Sequence, residues 1–391
     1  MRKITADFIF PIHRPPIKEG VIVVNDEGTI VEVGTRHNYD EEELESHKGI
    51  ITPGFINTHC HLELSHMKGK VDTGTSLIPF ISSVVQFRDV PQKKIDQAIE
   101  AADVEMLREG IVAVGDISNK ADTVPQKKRS SIRYYTFVEM FDFLQKNWTD
   151  DTFKQYEAVF AAHSDEGGNQ KSRVPHAPYS VSSNLFKKIN SVNPNSATVS
   201  IHNQETPDEN LFFQQKRGAF LTFYKNFDIS IDDFAATGAN SIDYALQYMS
   251  PQSKTLFVHN TMTTKADIEK AHAWNPNCYW ATCPNANLYI ENRLPNYQHF
   301  LDTDAKVTIG TDSLTSNWQL SIVEEMKAIA KYQSYIPLET LLTWATLNGA
   351  EALGYEGDLG SLEVGKTPGL VLLNMGLNLT FKTSTRAKRL A

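Results

Sequence analysis

The feature that most narrows what this chain can fold into is a rhythm. Between Gly54 and Asp312, short apolar runs alternate with stretches of helical periodicity, and the alternation repeats eight times. The runs are Phe55 to His61, Ile111 to Asp116, Ile132 to Glu139, Arg173 to His176, Ala197 to His202, Thr255 to His259, Tyr279 to Thr282, and Val307 to Asp312. Helical patterns stand between them, as in Ile95 to Glu109, Thr152 to Ala162, Lys265 to Trp274 and, after the last run, Trp318 to Tyr332. Gly110 ends the first of these as a helix C-cap residue. A strand followed by a helix, repeated, produces parallel strands, and eight units over roughly 250 to 300 residues predict a (β/α)8 barrel. The rival is an open doubly wound sheet, which would place a Gly-rich phosphate turn after its first strand. No such turn is present.

The ends of the chain have a different texture. Phe8-Ile9-Phe10, Val21 to Val24 and Thr29 to Val33 are β-type runs, with the turn residues Asn25-Asp26-Glu27-Gly28 between the last two. The acidic run Asp40 to Glu45 reads as a solvated helix or loop. Past the barrel, Gly360 to Lys366 opens another strand-rich piece, with Leu370 to Leu373 and Leu379 to Phe381 as strands. The expected organisation is a catalytic barrel over residues 53–356 and one small β-sandwich built from residues 1–52 and 357–391.

Charge and cysteine content restrict the partners. Lys and Arg number 38 against 47 Asp and Glu, a net charge of −9. An acidic surface disfavours nucleic acid and anionic membrane. Three unpaired cysteines, Cys60, Cys278 and Cys283, fit a reducing compartment. There is no apolar signal core at the N-terminus and no apolar run of bilayer length, so a cytoplasmic location is expected.

On a barrel of this kind, chemistry gathers at the C-terminal ends of the strands. Read as a series, those ends present His59 and His61 on the first strand, His202 on the fifth, His259 on the sixth and Asp312 on the eighth. His59 and His61 are two apart, so on a strand they project to one face. Four imidazoles and a carboxylate make a nitrogen–oxygen donor set suited to zinc or ferrous iron.

Several of these segments together resemble the amidohydrolase superfamily: Pro53-Gly54-Phe55-Ile56-Asn57-Thr58-His59-Cys60-His61, Val174-Pro175-His176-Ala177-Pro178-Tyr179, His202-Asn203-Gln204-Glu205, Val258-His259-Asn260, Cys283-Pro284-Asn285-Ala286-Asn287 and Gly310-Thr311-Asp312-Ser313. The similarity spans nearly the whole chain. It is nearest the mononuclear branch that holds S-adenosylhomocysteine/methylthioadenosine, guanine and aminodeoxyfutalosine deaminases and triazine chlorohydrolases. Two departures stand out: Ala286 where Ser is usual, and Pro368-Gly369 in place of Ala-Asp. Neither touches a ligand.

The resemblance implies one divalent ion, zinc or iron, held by His59, His61, His202 and Asp312. Binuclear members carry a lysine at the end of the fourth strand, and none stands here. It further implies that His259 hydrogen-bonds the attacking water or the substrate, that Glu205 protonates a ring nitrogen, and that Asp312 shares in the proton transfers. Glu63, two residues past His61 and on the same face if the strand persists, joins His176 and Arg293 as the expected substrate contacts. The implied activity is hydrolytic deamination of an amino-substituted heterocycle of aminopurine nucleoside type, with ammonia as product. The alternative is a chlorohydrolase or cyclic amidohydrolase, and a remoter one is a non-catalytic scaffold. A small-molecule substrate and a homodimer are expected; nucleic acid and membrane are not.

Overall fold

The computed structural model describes residues 1–391. The eight apolar runs form two four-stranded sheets in which every pairing is parallel. The first contains β8 (Phe55–Cys60), β9 (Ile111–Ser118), β10 (Arg133–Met140) and β11 (Gln170–Pro175), in sequential order. The second contains β12 (Thr198–Asn203), β13 (Lys254–His259), β14 (Cys278–Thr282) and β15 (Lys306–Ile309). These strands are buried along almost their whole length, as expected where helices cover one face and other strands the second. Backbone bonds link the two sheets at both edges. His202 donates its N–H to the His176 carbonyl at 2.9 Å, and the N–H groups of Thr311 and Asp312 both donate to the His59 carbonyl at 3.0 Å.

The helices pack outside, and three of the four named from periodicity fall within three residues of their expected ends: Gln92–Arg108, Thr149–Ala162 and Lys265–Trp274. The fourth starts at Ile322 rather than Trp318. The reason is Asn317, which donates to the Thr311 carbonyl at 2.8 Å and to Glu325 at 2.7 Å, holding the preceding residues in a buried loop. No helix is long and apolar enough to cross a membrane.

The chain ends build two further sheets. One has β1 (Arg2–Thr5), β4 (Gly20–Val24), β5 (Ile30–Thr35) and β6 (Leu44–Ser46), in the order β5-β4-β1-β6. The other has β2 (Phe8–Ile9), β3 (Ile17–Lys18), β7 (Ile50–Pro53), β16 (Leu370–Leu373) and β17 (Ala387–Arg389), in the order β17-β16-β7-β2-β3. Here β16, from the far end of the chain, pairs antiparallel with β7, matching Leu370 to Pro53 and Leu373 to Ile50. A separate apolar core joins both ends, in which Ile4, Ile22 and Val24 meet Ile51, Leu370 and Leu372.

One local expectation is corrected. Leu379 to Phe381 is not a strand: the chain turns there, with Leu379 at φ 53° and its N–H bonded to the Gly376 carbonyl, and the edge position falls to Ala387–Arg389. That strand is short and basic, a common composition for a protected edge, so hydrophobicity does not reveal it. Gly360 to Lys366 holds the turns that lead to β16. The acidic run resolves into a single 3-10 turn, Glu41–Glu43, leading into β6.

Candidate active site

The side chains expected as ligands converge where the strands of both parallel sheets end. His59 is the fifth residue of β8, and His61 directly follows that strand. Their Nε2 atoms lie 3.2 Å apart. His202 from β12 brings its Nε2 to 3.4 Å from that of His61. Asp312, three residues past β15, places Oδ1 at 3.4 Å from His61 Nε2 and 3.6 Å from His59 Nε2. Donor atoms on a tetrahedral zinc at 2.0–2.1 Å stand about 3.3–3.4 Å from one another. The three imidazoles are thus grouped closely enough to hold a metal ion, with Asp312 beside two of them.

Protonation agrees with this. Burial, ahead of all other causes, lowers His59, His61 and His259 to about 4, so their ring nitrogens carry free lone pairs at neutral pH. Burial also resists ionisation of Asp312, yet the surrounding imidazoles hold it well below the usual carboxylate range. Its Oδ2 accepts from Ser316 Oγ at 2.6 Å, which fixes the carboxylate while Oδ1 faces the histidines.

His202 differs from the other three. Its Nδ1 lies 2.9 Å from the His176 carbonyl and 3.3 Å from Glu139 Oε1, so Nδ1 carries a hydrogen. Burial opposes its charge, but Glu139 raises it to about 9. A cation on Nε2 would take the place of that second proton, and a carboxylate behind a ligating histidine orients it and increases its basicity. Glu139, His176 and His202 also form a compact trio of donors. A second ion there would have to displace the Nδ1 hydrogen bond, so the first cage is the better ligand set.

Glu205 and His259 face the same space. Glu205 Oε1 lies 3.6 Å from His259 Nε2. The Asn287 amide donates to the His259 carbonyl, which turns its Oδ1 toward the ring; His259 Nδ1–H donates to that oxygen at 2.9 Å. His259 Nε2 is thus left as an acceptor. Burial first, then the neighbouring Asp312, Glu209 and Glu291 carboxylates, raise Glu205 to about 8 against the opposing pull of His202. Its carboxyl is protonated at neutral pH. Glu209 accepts the backbone N–H groups of Gln204 and Glu205, anchoring the turn.

Four non-glycine residues at these strand ends adopt left-handed backbone: Gln204, His259, Asn260 and Asp312, with φ between 46° and 70°. Each costs on the order of 1–3 kcal/mol, and such strain gathers at functional sites. Here it is compensated locally, as where Asn260 Nδ2 donates to the carbonyls of Phe257 and Ala281.

Above the cage opens a cavity walled largely by apolar and aromatic side chains. His61, His202, Glu205, His259 and Asp312 line it, and so does His176, whose Nδ1 sits 2.6 Å from Ser180 Oγ. Glu63 and Arg293 are placed elsewhere. Glu63 Oε2 accepts the N–H groups of Asn119 and Lys120, both at 3.0 Å, outside the cavity lining. The strand does not persist past His61; a 3-10 turn, Leu62–Met67, begins instead and swings Glu63 away. Arg293 is exposed, its guanidinium against Met262 Sδ. Two charged lining residues escaped notice in the sequence. Glu139 ends the third apolar run and the strand-end rule would have reached it; Arg88 carries no such signal.

Comparison with known proteins adds four findings. A family model described as the amidohydrolase family matches residues 50–390. An adenosine deaminase of Helicobacter pylori is 28% identical over 337 residues, covering 85% of this chain and 80% of its own length. A 5-methylthioadenosine/S-adenosylhomocysteine deaminase of Bacillus cereus is 27% identical over 379 residues, covering 92% of this chain and 81% of its own. Among solved structures, Helicobacter pylori aminofutalosine deaminase in complex with methylthio-coformycin superposes with a TM-score of 0.78 at 23% identity, covering 98% of this chain and 94% of that one.

Proposed function

Since this chain belongs to the amidohydrolase family, we propose that it is a metal-dependent hydrolytic deaminase of an amino-substituted purine nucleoside or close analogue, releasing ammonia. The observation that carries the reading is the neutral carboxyl of Glu205 held beside His259, next to a three-histidine, one-aspartate cage. The activities in the names of the curated relatives support it. The two parallel sheets are read as halves of one closed (β/α)8 barrel over residues 53–356, and the two terminal sheets as one β-sandwich from residues 1–52 and 357–391.

The ion is taken as a single zinc held by His59, His61, His202 and Asp312; when bound, it supplies a water acidic enough to attack at neutral pH. The chain's own groups do the rest. His259 Nε2, bare because Nδ1–H is committed to Asn287, accepts a hydrogen bond from the incoming water and aims it. Asp312, held ionised by the imidazoles, takes the proton that water loses on attack. Attack at the carbon bearing NH2 pushes electrons onto the adjacent ring nitrogen, and Glu205 delivers its proton there. Glu205, now a carboxylate, removes the remaining hydroxyl proton as the carbonyl forms. Asp312 passes its proton to the amino group, which leaves as ammonia. His176 forms part of the wall against which the heterocycle lies.

An ammonia-release screen of the zinc-loaded protein tests this, over adenosine derivatives, guanine, pterins and triazines. Turnover of a 6-aminopurine nucleoside is the expected result. Activity confined to ring amides, or chloride release from chlorotriazines without ammonia, would overturn it.

A further inference from the structure

Of the 38 lysines and arginines, Lys127 alone is buried. It stands on the short helix Val124–Arg129, and its side chain is 5% exposed against 0% for Asp116, with which it forms an ion pair. Each of its three ammonium hydrogens meets an acceptor: Asp116 Oδ2, Ser118 Oγ at 3.2 Å and Thr136 Oγ1 at 3.0 Å. Asp116 and Ser118 lie two apart on β9, and Thr136 is the residue of β10 in register with Asp116. One ammonium thus ties two neighbouring strands. None of these four residues lines the cavity.

The other oxygen of Asp116 leads to the cage. Asp116 Oδ1 accepts the Leu62 N–H at 2.8 Å, and Leu62 opens the 3-10 turn that has His61 as its cap. Among the expected ligands His61 is the one least held by its own surroundings. His59 lies within β8. His202 is fixed at Nδ1 by the His176 carbonyl, and Asp312 by Ser316. The His61 ring has hydrogen-bond partners only in His59 and His202, and β8 has stopped one residue before it. Its direction is therefore set by its backbone, which the Leu62 N–H anchors immediately beyond it. A buried ion pair is a poor source of stability: apolar replacements of both partners are often neutral or better, whereas removal of one partner leaves a buried charge unpaired. What Asp116 holds in place gives the pair a reason to be there.

We infer that Lys127 is a positioning residue for the metal cage: it fixes the Asp116 carboxylate, which through the Leu62 N–H sets where His61 projects. The inference rests on the cage reading above.

Three variants separate position from stability. Lys127→Met leaves Asp116 buried without its partner, and zinc affinity, read by competition with a chelator, is expected to fall about 10- to 100-fold, as for other groups that orient ligands. Lys127→Met with Asp116→Asn removes both charges and keeps an acceptor for Leu62, so affinity is expected to return to near the wild-type value. Lys127→Met with Asp116→Leu removes both charges and the acceptor. Its metal-free melting temperature is expected to match that of the first double variant, while its zinc affinity stays low and the visible absorption bands of its cobalt-substituted form shift. Wild-type affinity and cobalt spectrum in the second double variant, or equal losses in both, would overturn the inference. If Lys127→Met alone does not fold, the two double variants decide. If the wild-type protein binds no ion, the cage reading fails, and the His61 ring resonances of the metal-free protein decide on Lys127. A shift in the second double variant and not in the first supports it; resonances unchanged in both, or shifted equally, overturn it.

Discussion

Glu139 and Glu205 line one cavity, and the structure gives them opposite charge states. Both are buried, which alone would keep each neutral. Glu139 meets His176, His202 and His61 and is held well below the ordinary range, whereas Glu205 has carboxylates for neighbours and rises to about 8. On the proposed mechanism this separation suits Glu205 to donating a proton and Glu139 to orienting His202 as an anion. Glu205→Gln keeps shape and loses the transferable proton, so turnover is expected to fall ~10²- to 10⁴-fold. Metal content, measured on the same preparation by elemental analysis, is expected to stay at one equivalent. The sign of the pH dependence follows: the acid form is present below about 8, so kcat/KM is expected to decline as pH rises through that value. The Gln variant is expected to lack that limb. Glu139→Gln acts through His202 and is expected to weaken metal binding about 10- to 100-fold, read by competition with a chelator. An unchanged affinity would mean that the His176 carbonyl alone orients the ring.

At the scale of elements, the site depends on how closely β8 and β15 approach. Gly310 follows β15, and a Cβ there would lie 2.8 Å from His59 Cβ and 3.0 Å from Cys283 Sγ. Gly310→Ala would drive His59 from its place while leaving every ligand present. Overpacking of this sort costs about 1–3 kcal/mol, and metal affinity is expected to fall together with the melting temperature. Gly54, between β7 and β8, is a control remote from the cage. A Cβ there would meet Val112 Cγ1 at 2.3 Å and the Pro368 carbonyl at 2.7 Å. Gly54→Ala is expected to lower the melting temperature by straining the junction between terminal and parallel sheets, with metal affinity kept once the protein is folded. If both variants lose metal alike, the cage is sensitive to stability in general and not to the β8–β15 approach.

For the whole molecule, the cage draws on both parallel sheets: His59 and His61 from the first, His202 and Asp312 from the second or just beyond it. An ion bound there crosslinks them and binds only the folded chain. At a free metal concentration 1,000 times Kd the stabilisation is about 4 kcal/mol. Removing metal with a chelator is thus expected to lower the melting temperature, and zinc to restore it in proportion to the logarithm of its concentration. A melting temperature indifferent to metal would show that the sheets are held by their backbone bonds and apolar core alone. The terminal sheets add a second long-range tie, since β16 pairs with β7 across more than 300 residues of chain.

Much of the site was legible because its geometry follows from local rules. Parallel strands put their C-terminal ends on one rim, and strand parity puts His59 and His61 on one face, so reading the last residues of apolar runs reaches His59, His61, His202, His259 and Asp312. Those rules stop where the strand stops. Parity carried one pair further pointed Glu63 at the cavity, but the chain enters a 3-10 turn and that carboxylate caps the Asn119 and Lys120 N–H groups. Which arginine overhangs the cavity is a matter of which connection folds back over the rim, and spacing along the chain has no bearing on it: Arg88 is inside and Arg293 is out. The basic edge strand Ala387–Arg389 was invisible for a related reason, since its partner β16, and not its own hydrophobicity, makes it a strand. Charge states belong wholly to the folded molecule. Nothing in the string of residues separates Glu139 from Glu205; the difference arises because folding places imidazoles that overcome burial around Glu139, whereas at Glu205 burial, aided by Asp312, Glu209 and Glu291, prevails over the pull of His202.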